Sequence, residues 1–596
     1  MQTLPHSFHI PVMGLAFTVD SPIKVARFGI PSVMSIVEDR LIEMMRKHYY
    51  GSLNEKYIPI STHENDYRAK RITDYLNLVS RIVQEQIENL KSSAFKAGNE
   101  LARYFEMLPT ENKLRELYFQ LIQSANQPEK ESLQNYLRSQ ITPGSIDVNI
   151  MTKLDGNSSG NVGVLKEDGT DAVSALRGYA LSDLKNSSII FSAGLNPRLF
   201  NYLEKFTAFD ATGWGEFSKK VVIKVSDYRS AFIQGKYLAK KGIWVSEFRI
   251  ESGLNCGGHA FATDGYLMGP ILEEFKSKRE ELSKTLHDIY YPAIKVKGKL
   301  AFDSPHPIKI TAQGGIGTAE ENEFLLQHYA IDSTGWGTPF LLCPEATTVD
   351  DKTLQLLSKA SKSDITLSNN SPLGIRFHYL KGTSSENEKL HRIAAGKPGS
   401  PCTEKHLAFN TEFTTEPICT ASSKYQILKT EQLKSLNLTD ENYQKQLKDV
   451  HAKECLCVGL SNSASIEYKE VFLKKLKSVT ICPGPNIAYF SEVVSLQRMT
   501  DHIYGRTDLL KQVERPHMFI NEMNLYIDYL KEQVEDAGHD EKRIQYCIKF
   551  AENVLSGISY YKSIEIEPEN ASFSLALENG ENQVNSLMEC VTIKQK

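Results

Sequence analysis

Residues 308–340 read IKITAQGGIGTAEENEFLLQHYAIDSTGWGTPF. A β-rich run ends in Gly314 and Gly315, Thr318 opens a helical stretch with Glu321 placed to complete a capping box, and the pattern then restarts in a short run ending at Gly337 and Thr338. Strand, glycine turn, helix, strand and glycine turn make a β-α-β unit, which requires a parallel sheet. Glycine lets the backbone approach an anion, and a helix start presents free N–H groups to it. Taken singly, each turn reads equally well as an ordinary strand-to-helix connection with glycine in a left-handed position. Two in succession read as a pair of barrel strands gripping one phosphate between them.

Working outward, strand-like runs lie at IDVNIM (146–151), SIIFSAG (188–194), VVIKV (221–225) and IWVSEFRI (243–250), most of them followed by helical patterns. The amino-terminal HIPVMGLAF gives a further strand, feeding SPIKVARFGIPSV (21–33) as a small amphipathic helix with Ser21 as cap. From Ile72 to Ile122 the alternation is interrupted: Ile72, Leu76, Val79, Val83 and Ile87 recur at helical spacing among charges, which predicts a helical insertion after the first strand-helix unit, propped against the barrel wall. Alternation stops near Leu380, and the last segment carries helical patterns over Met518–Glu535 and Glu541–Leu555. The pattern alone allows either a closed barrel or an open doubly wound sheet, and 596 residues exceed the roughly 250 of a minimal barrel, so additions are required. The expected fold is an α/β (β/α)₈ TIM barrel formed by residues 1–45 and 141–380, with a helical insertion at 46–140 and a cysteine-containing extension at 381–596 that is loop-rich and then helical.

A formal charge of -4, from 69 basic and 73 acidic residues, leaves no electrostatic footprint for nucleic acid or an anionic membrane. No run approaches the ~18 apolar residues of a membrane span, and the opening lacks the basic start of a signal peptide. Nine cysteines over this length are too sparse for a secreted disulfide scaffold, so reduced thiols and a cytoplasmic location are expected.

The chemistry centres on GLNCGGHAF (253–261), directly after the IWVSEFRI strand, where His259 follows two glycines at the strand end on which barrel active sites assemble. Such a glycine pair suits something flat pressed against the backbone. In order along the chain, PVMG (11–14), VNIM (148–151), GLNCGGH, QGGIGT, GWGTPF and NNSPLGIRF (369–377) together resemble the motifs of the nitronate monooxygenase family, formerly 2-nitropropane dioxygenases, and of their relatives the flavin-dependent enoyl-acyl carrier protein reductases.

That resemblance implies noncovalent FMN, its phosphate on Gly314, Gly315, Gly337 and Thr338 within the strand-end run that includes Gly335 and Trp336, and its ring near Gly14, Asn149, Ser252, Gly257 and Gly258. It implies His259 as the catalytic base that removes the proton beside a nitro group, a task suited to an imidazole titrating near working pH. The leading expectation is nitronate monooxygenase-like oxidation of a small nitro compound or related acidic-carbon substrate with dioxygen. In the enoyl reductases the same position assists protonation, so the alternative is an NAD(P)H-dependent enoyl-thioester reductase, with an acyl carrier protein as its implied partner. A catalytically inactive barrel serving as an interaction scaffold is a third reading. Ser252, Asn255 and Cys256 stand where the family commonly has glutamine, glutamate and alanine, which bears on the substrate more than on the flavin. Cys256 itself reads as a small buried thiol. Cys402, Cys419, Cys455 and Cys457 form a second constellation, either a zinc or iron–sulfur site or separately buried thiols.

Overall fold

The computed structural model describes the chain except residues 1–4, 153–154, 156–167, 193, 258–262, 402, 472, 474–475, 512, 565–570 and 596. Eight parallel strands carry it: β1 (Phe8–His9), β2 (Ser32–Ser35), β3 (Ile146–Ile150), β4 (Ser187–Phe191), β5 (Lys219–Val225), β6 (Val245–Glu251), β7 (Lys309–Gln313) and β8 (Ser333–Gly335). Each pairs with its sequence neighbour, β8 returns to β1, and the parallel bridge Ile10–Ser32 closes the ring between β1 and β2, with Ile10 N–H donating to Pro31 O at 2.9 Å. Of the closed barrel and the open sheet that the alternation allows, the closed (β/α)₈ barrel, the expected fold, is therefore the architecture.

The pleat sorts the strand residues. On β5, Val221, Ile223 and Val225 join the large core beneath the helices, whereas Val222 belongs to a small separate cluster with Val12, Val33 and Ile190 inside the ring. The same alternation sends Lys224, Glu247, Arg249, Glu251, Thr311 and Gln313 inward. The middle of the barrel is accordingly polar. Glu247 accepts from Thr311 Oγ1 at 2.6 Å and from Arg249 Nε at 2.7 Å, and burial pushes the His9 imidazole down to about 3, so this ring is neutral.

Two expectations about the amino-terminal region need correction. The stretch 21–33 is not one helix: Ser21–Val25 is helical, a short turn follows, Gly29 adopts φ 79°, and Ser32–Ser35 forms the fully buried β2. Asp20, not Ser21, occupies the cap position, with no side-chain capping bond. Glycine in the left-handed region with Pro31 behind it ends a helix, and an apolar tail too short to show alternation hid the strand. The inserted helices consequently follow the second strand rather than the first strand-helix unit.

Among those helices, Tyr67–Ser92 buries Ile72, Leu76, Val79, Val83 and Ile87 and packs on Asp171–Leu181, the helix following β3. Thr73 Oγ1 donates to Gly178 O at 2.9 Å across that crossing. At the other end of the chain, Met518–Ala537, Glu541–Ser563 and Ala571–Gln595 pack together, and the first two reach Met268–Val296, the helix after β6. Phe519 stacks on Tyr561 with ring centres 4.6 Å apart, and the Tyr561 hydroxyl accepts from Gly269 N at 3.0 Å. No described helix is long and apolar enough to cross a membrane.

The Gly178 crossing has no room for a side chain, because a Cβ there would sit 2.8 Å from both Ala69 O and Ile72 Cβ. Gly178→Val is expected to lower stability by about 1–3 kcal/mol in urea unfolding. Gly51→Ala, also in a helix but facing open space, should instead gain about 0.5–1 kcal/mol. Equal effects at the two sites would show that the crossing is not tightly packed.

Candidate active site

The strand ends converge on one carboxylate. Glu251 Oε1 accepts from Asn255 Nδ2 at 2.7 Å and from Gln313 Nε2 at 2.7 Å, and it lies 3.1 Å from Lys224 Nζ. This ties β5, β6, β7 and the loop after β6 to a single oxygen. The Lys224 and Glu251 side chains are 9% and 12% exposed, so each charge depends on the other for compensation. Beside them, Asn149 Oδ1 is buried without a partner among the described residues, and the Gln313 side chain faces the His9 ring. Such an orphan costs about 1–3 kcal/mol unless a ligand or water satisfies it.

Glycines border this polar floor. Gly14, Gly257, Gly314 and Gly337 are partly accessible among buried neighbours such as Met13, Cys256, Ile316 and Thr338. Close approach of loops requires two of them: a Cβ on Gly257, which has φ 75°, would lie 2.6 Å from Met13 Cα, and one on Gly337 would lie 3.0 Å from Cys256 Cβ. The loops after β1, β6 and β8 thereby meet over the mouth with backbone, not side chains, exposed.

The segment 480–486 (TICPGPN) from the extension closes in on the same loops. Cys482 O accepts from Gly257 N at 3.0 Å and from the Cys256 thiol, Pro483 O accepts from Thr338 Oγ1, and Asn486 Nδ2 donates to Gly315 O and Ile316 O at 2.8 Å each. Arg515 Nη2 also donates to Gly315 O, at 2.7 Å, while its Nη1 pairs with Glu321 at 2.6 Å. The Thr338 hydroxyl and the Gly315 carbonyl are thus engaged within the protein.

Other residues nominated from sequence are buried or bonded within the protein. Gly335 is buried between His9 and Gln313, Trp336 is fully buried with its Nε1 3.2 Å from Thr334 Oγ1, and the Ser252 hydroxyl donates to Glu522 at 2.6 Å. The structure brings Gly14, Asn149, Gly257, Gly314 and Gly337 to the mouth; Gly258 and His259 lie outside the described residues. Sequence reading passed over Lys224, Glu251 and Gln313. The inward period-two positions of VVIKV, SEFRIE and KITAQ carried that signal, since a charged or amide residue on the inner face near a strand's carboxyl end points at the mouth. Burial drives the Cys256 thiol well above its usual range, which leaves it protonated and unreactive.

An apolar cavity of about 80 Å³ opens beside Gly257, walled by Leu15, Val37, Met151, Phe377, Leu407 and Leu460. At one end His406 bridges two carboxylates, Nε2 lying 3.2 Å from Glu38 and Nδ1 3.4 Å from Asp171. Arg68 pairs with Asp171 at 3.2 Å, Arg71 with Asp39 at 2.6 Å and Arg40 with Glu404 at 3.1 Å. Glu38, Glu404 and His406 form the one group of metal-type donors found among the described residues, yet the carboxylates there are matched by the three arginines and a protonated His406. Cys419 is buried and Cys455 and Cys457 half-buried without joining such a group; Cys402 lies outside the described residues.

No protein-family model matches the chain, and no curated protein matches it. Among solved structures, the enoyl reductase domain of MlnA from the macrolactin biosynthesis cluster of Bacillus amyloliquefaciens aligns over 76% of this chain and 98% of its own at 15% identity, with a TM-score of 0.33. That likeness is too low to carry an argument about function.

The two carboxylates hold the His406 imidazolium against burial and raise its pKa to about 10. A raised folded-state pKa gives stability that is complete below the unfolded value of ~6.5 and fades as pH rises toward 10. His406→Gln should therefore lower the melting temperature clearly at pH 6 and progressively less toward pH 10. A difference that stays constant across that range would mean His406 is not held as the cation.

Proposed function

We propose that the chain is an FMN-dependent oxidoreductase acting on a substrate with an apolar chain. The observation that carries this reading is a backbone-lined mouth with an unmet buried acceptor, Asn149 Oδ1, beside an apolar cavity that shares Gly257 with it. Cofactor and ligand sites on barrels form at this face, concave and apolar with a few convergent polar groups.

The residues present fit the cofactor. Gly14 and Gly257 offer partly accessible backbone for a flat ring, Asn149 offers an unsatisfied side-chain oxygen for a ring edge, and the Lys224–Glu251 ion pair lies beside them. Gly314 and Gly337 remain accessible for a phosphate, which would rely on backbone N–H groups because the Thr338 hydroxyl is already bonded to Pro483 O. Bound FMN would supply hydride transfer. Lys224 pairs with Glu251, and that carboxylate keeps Asn255 and Gln313 in place, so the floor is ordered before any ligand arrives.

Wall residues such as Leu15, Val37, Phe377 and Leu460 suit a hydrocarbon chain, which favours reduction of an enoyl thioester over oxidation of a small nitro compound. His259, assigned from its place in GLNCGGH, is proposed as the acid or base beside the reacting carbon.

Turnover of a crotonyl-type thioester with NADPH should exceed turnover of a nitronate with dioxygen. In the preferred reaction, His259→Ala should retain flavin yet lose about 10² to 10⁴ in rate, the usual contribution of a positioned acid or base. Faster nitronate oxidation would return the assignment to the monooxygenase type, and an unchanged rate in the variant would remove His259 from proton transfer.

A further inference from the structure

The loop from Ser252 to Met268 contains the GLNCGGH stretch, and both of its ends are held by one side chain from far along the chain. Glu522, 2% exposed on the helix Met518–Ala537, accepts from Ser252 Oγ through Oε1 at 2.6 Å and from Met268 N through Oε2 at 2.8 Å. Thr263 and Asp264 are held by the same helical extension. The Tyr526 hydroxyl lies 3.0 Å from Thr263 Oγ1, and Asn553 Nδ2 donates to Asp264 O at 2.7 Å. Two glycines allow the helices this close: a Cβ on Gly253 would stand 2.7 Å from the Tyr526 ring, and one on Gly265 would stand 2.5 Å from Phe550 O.

We infer that Glu522 is a positioning residue that fixes Ser252 and Met268 together, so that the extension sets where the chain leaves β6 and where it enters the helix that begins at Met268. Ordinary packing of a carboxyl-terminal helix needs no buried carboxyl. Here the carboxyl has no cationic partner among the described residues; burial pushes it up to about 7, and its bonds to Ser252, Met268 N and Gly253 N draw it back toward ionisation. Burial thus favours the protonated form, which keeps an acceptor oxygen for Met268 N while its O–H can turn to the Ser252 hydroxyl. Glutamine presents the same acceptor and a donor in the same place, so it is a near mimic. Alanine leaves Met268 N buried without its partner and frees the Ser252 hydroxyl.

The catalytic consequence rests on the proposed flavin reading; the mechanical one does not. Hydrogen exchange of the full chain without added cofactor, comparing wild type, Glu522→Ala and Glu522→Gln, separates them. Glu522→Ala is expected to speed amide exchange in peptides spanning 252–268 by about tenfold or more while leaving the helix 518–537 protected, and Glu522→Gln to restore wild-type exchange within about threefold. In flavin-loaded protein the alanine variant should lower kcat about tenfold or more with KM little changed, again rescued by glutamine. Unchanged exchange at 252–268, or equal acceleration along 518–537, would overturn the clamp. Should the alanine variant fail to fold, Tyr526→Phe, which removes the hydroxyl that meets Thr263 and the Gly253 backbone, should loosen the same peptides to a smaller degree, and no loosening there would overturn it as well. A protein that responds in exchange but never binds FMN would keep the clamp and refute the flavin reading.

Discussion

Much of this molecule depends on a buried carboxylate having enough partners. Glu251 ends β6 inside the barrel, where an uncompensated charge would cost several kcal/mol, and Lys224, Asn255 and Gln313 reach it from two neighbouring strands and the following loop. Because these partners converge on one oxygen, the strand ends are tied to one another and the Gln313 amide is fixed in orientation. Asn149 Oδ1, on a separate strand, remains unmet among the described residues. A mouth built this way is stiff, polar and unsatisfied, the state in which a site waits for a ligand.

The lid over the mouth is assembled from chain that a minimal barrel does not have. The carbonyls of Cys482 and Pro483 bond to the β6 and β8 loops, Asn486 and Arg515 seize the β7 turn, and the Arg515–Glu321 pair holds the helix after β7 to the start of the carboxyl-terminal helices. Buried ion pairs add little net stability in isolation, but breaking one is costly, which makes this junction specific about how the extension docks. The extension is thus continuous with the site. The apolar cavity has one wall from the barrel loops, including Leu15 and Val37, and another from Leu407, Leu456 and Leu460.

How much of this could be read from the residues varied with the physics involved. The barrel was legible because strands such as VVIKV and IDVNIM are apolar runs between helical patterns, and local pattern reports local structure. β2 was not, since SVMS is four residues long and follows a helix after only a glycine turn. At the mouth, Gly14, Gly257, Gly314 and Gly337 stood out by residue type. Gly335, Trp336 and Ser252 stood out equally, yet they are buried, because what a residue faces is decided by partners distant in sequence: Ser252 meets Glu522, and Thr338 meets Pro483. No motif marks such pairs. Lys224 lay in plain view as the charged inward position of its strand, and its importance emerges only when Glu251 is seen opposite it.

The account turns on whether the mouth holds a flavin. Titration of the purified chain with FMN, FAD and riboflavin, following flavin fluorescence and the visible spectrum, addresses this most directly. The account predicts that FMN binds at one per chain with a shifted visible spectrum and that riboflavin, lacking the phosphate, binds far more weakly. Free-flavin fluorescence persisting at stoichiometric FMN, with no spectral change, would contradict it.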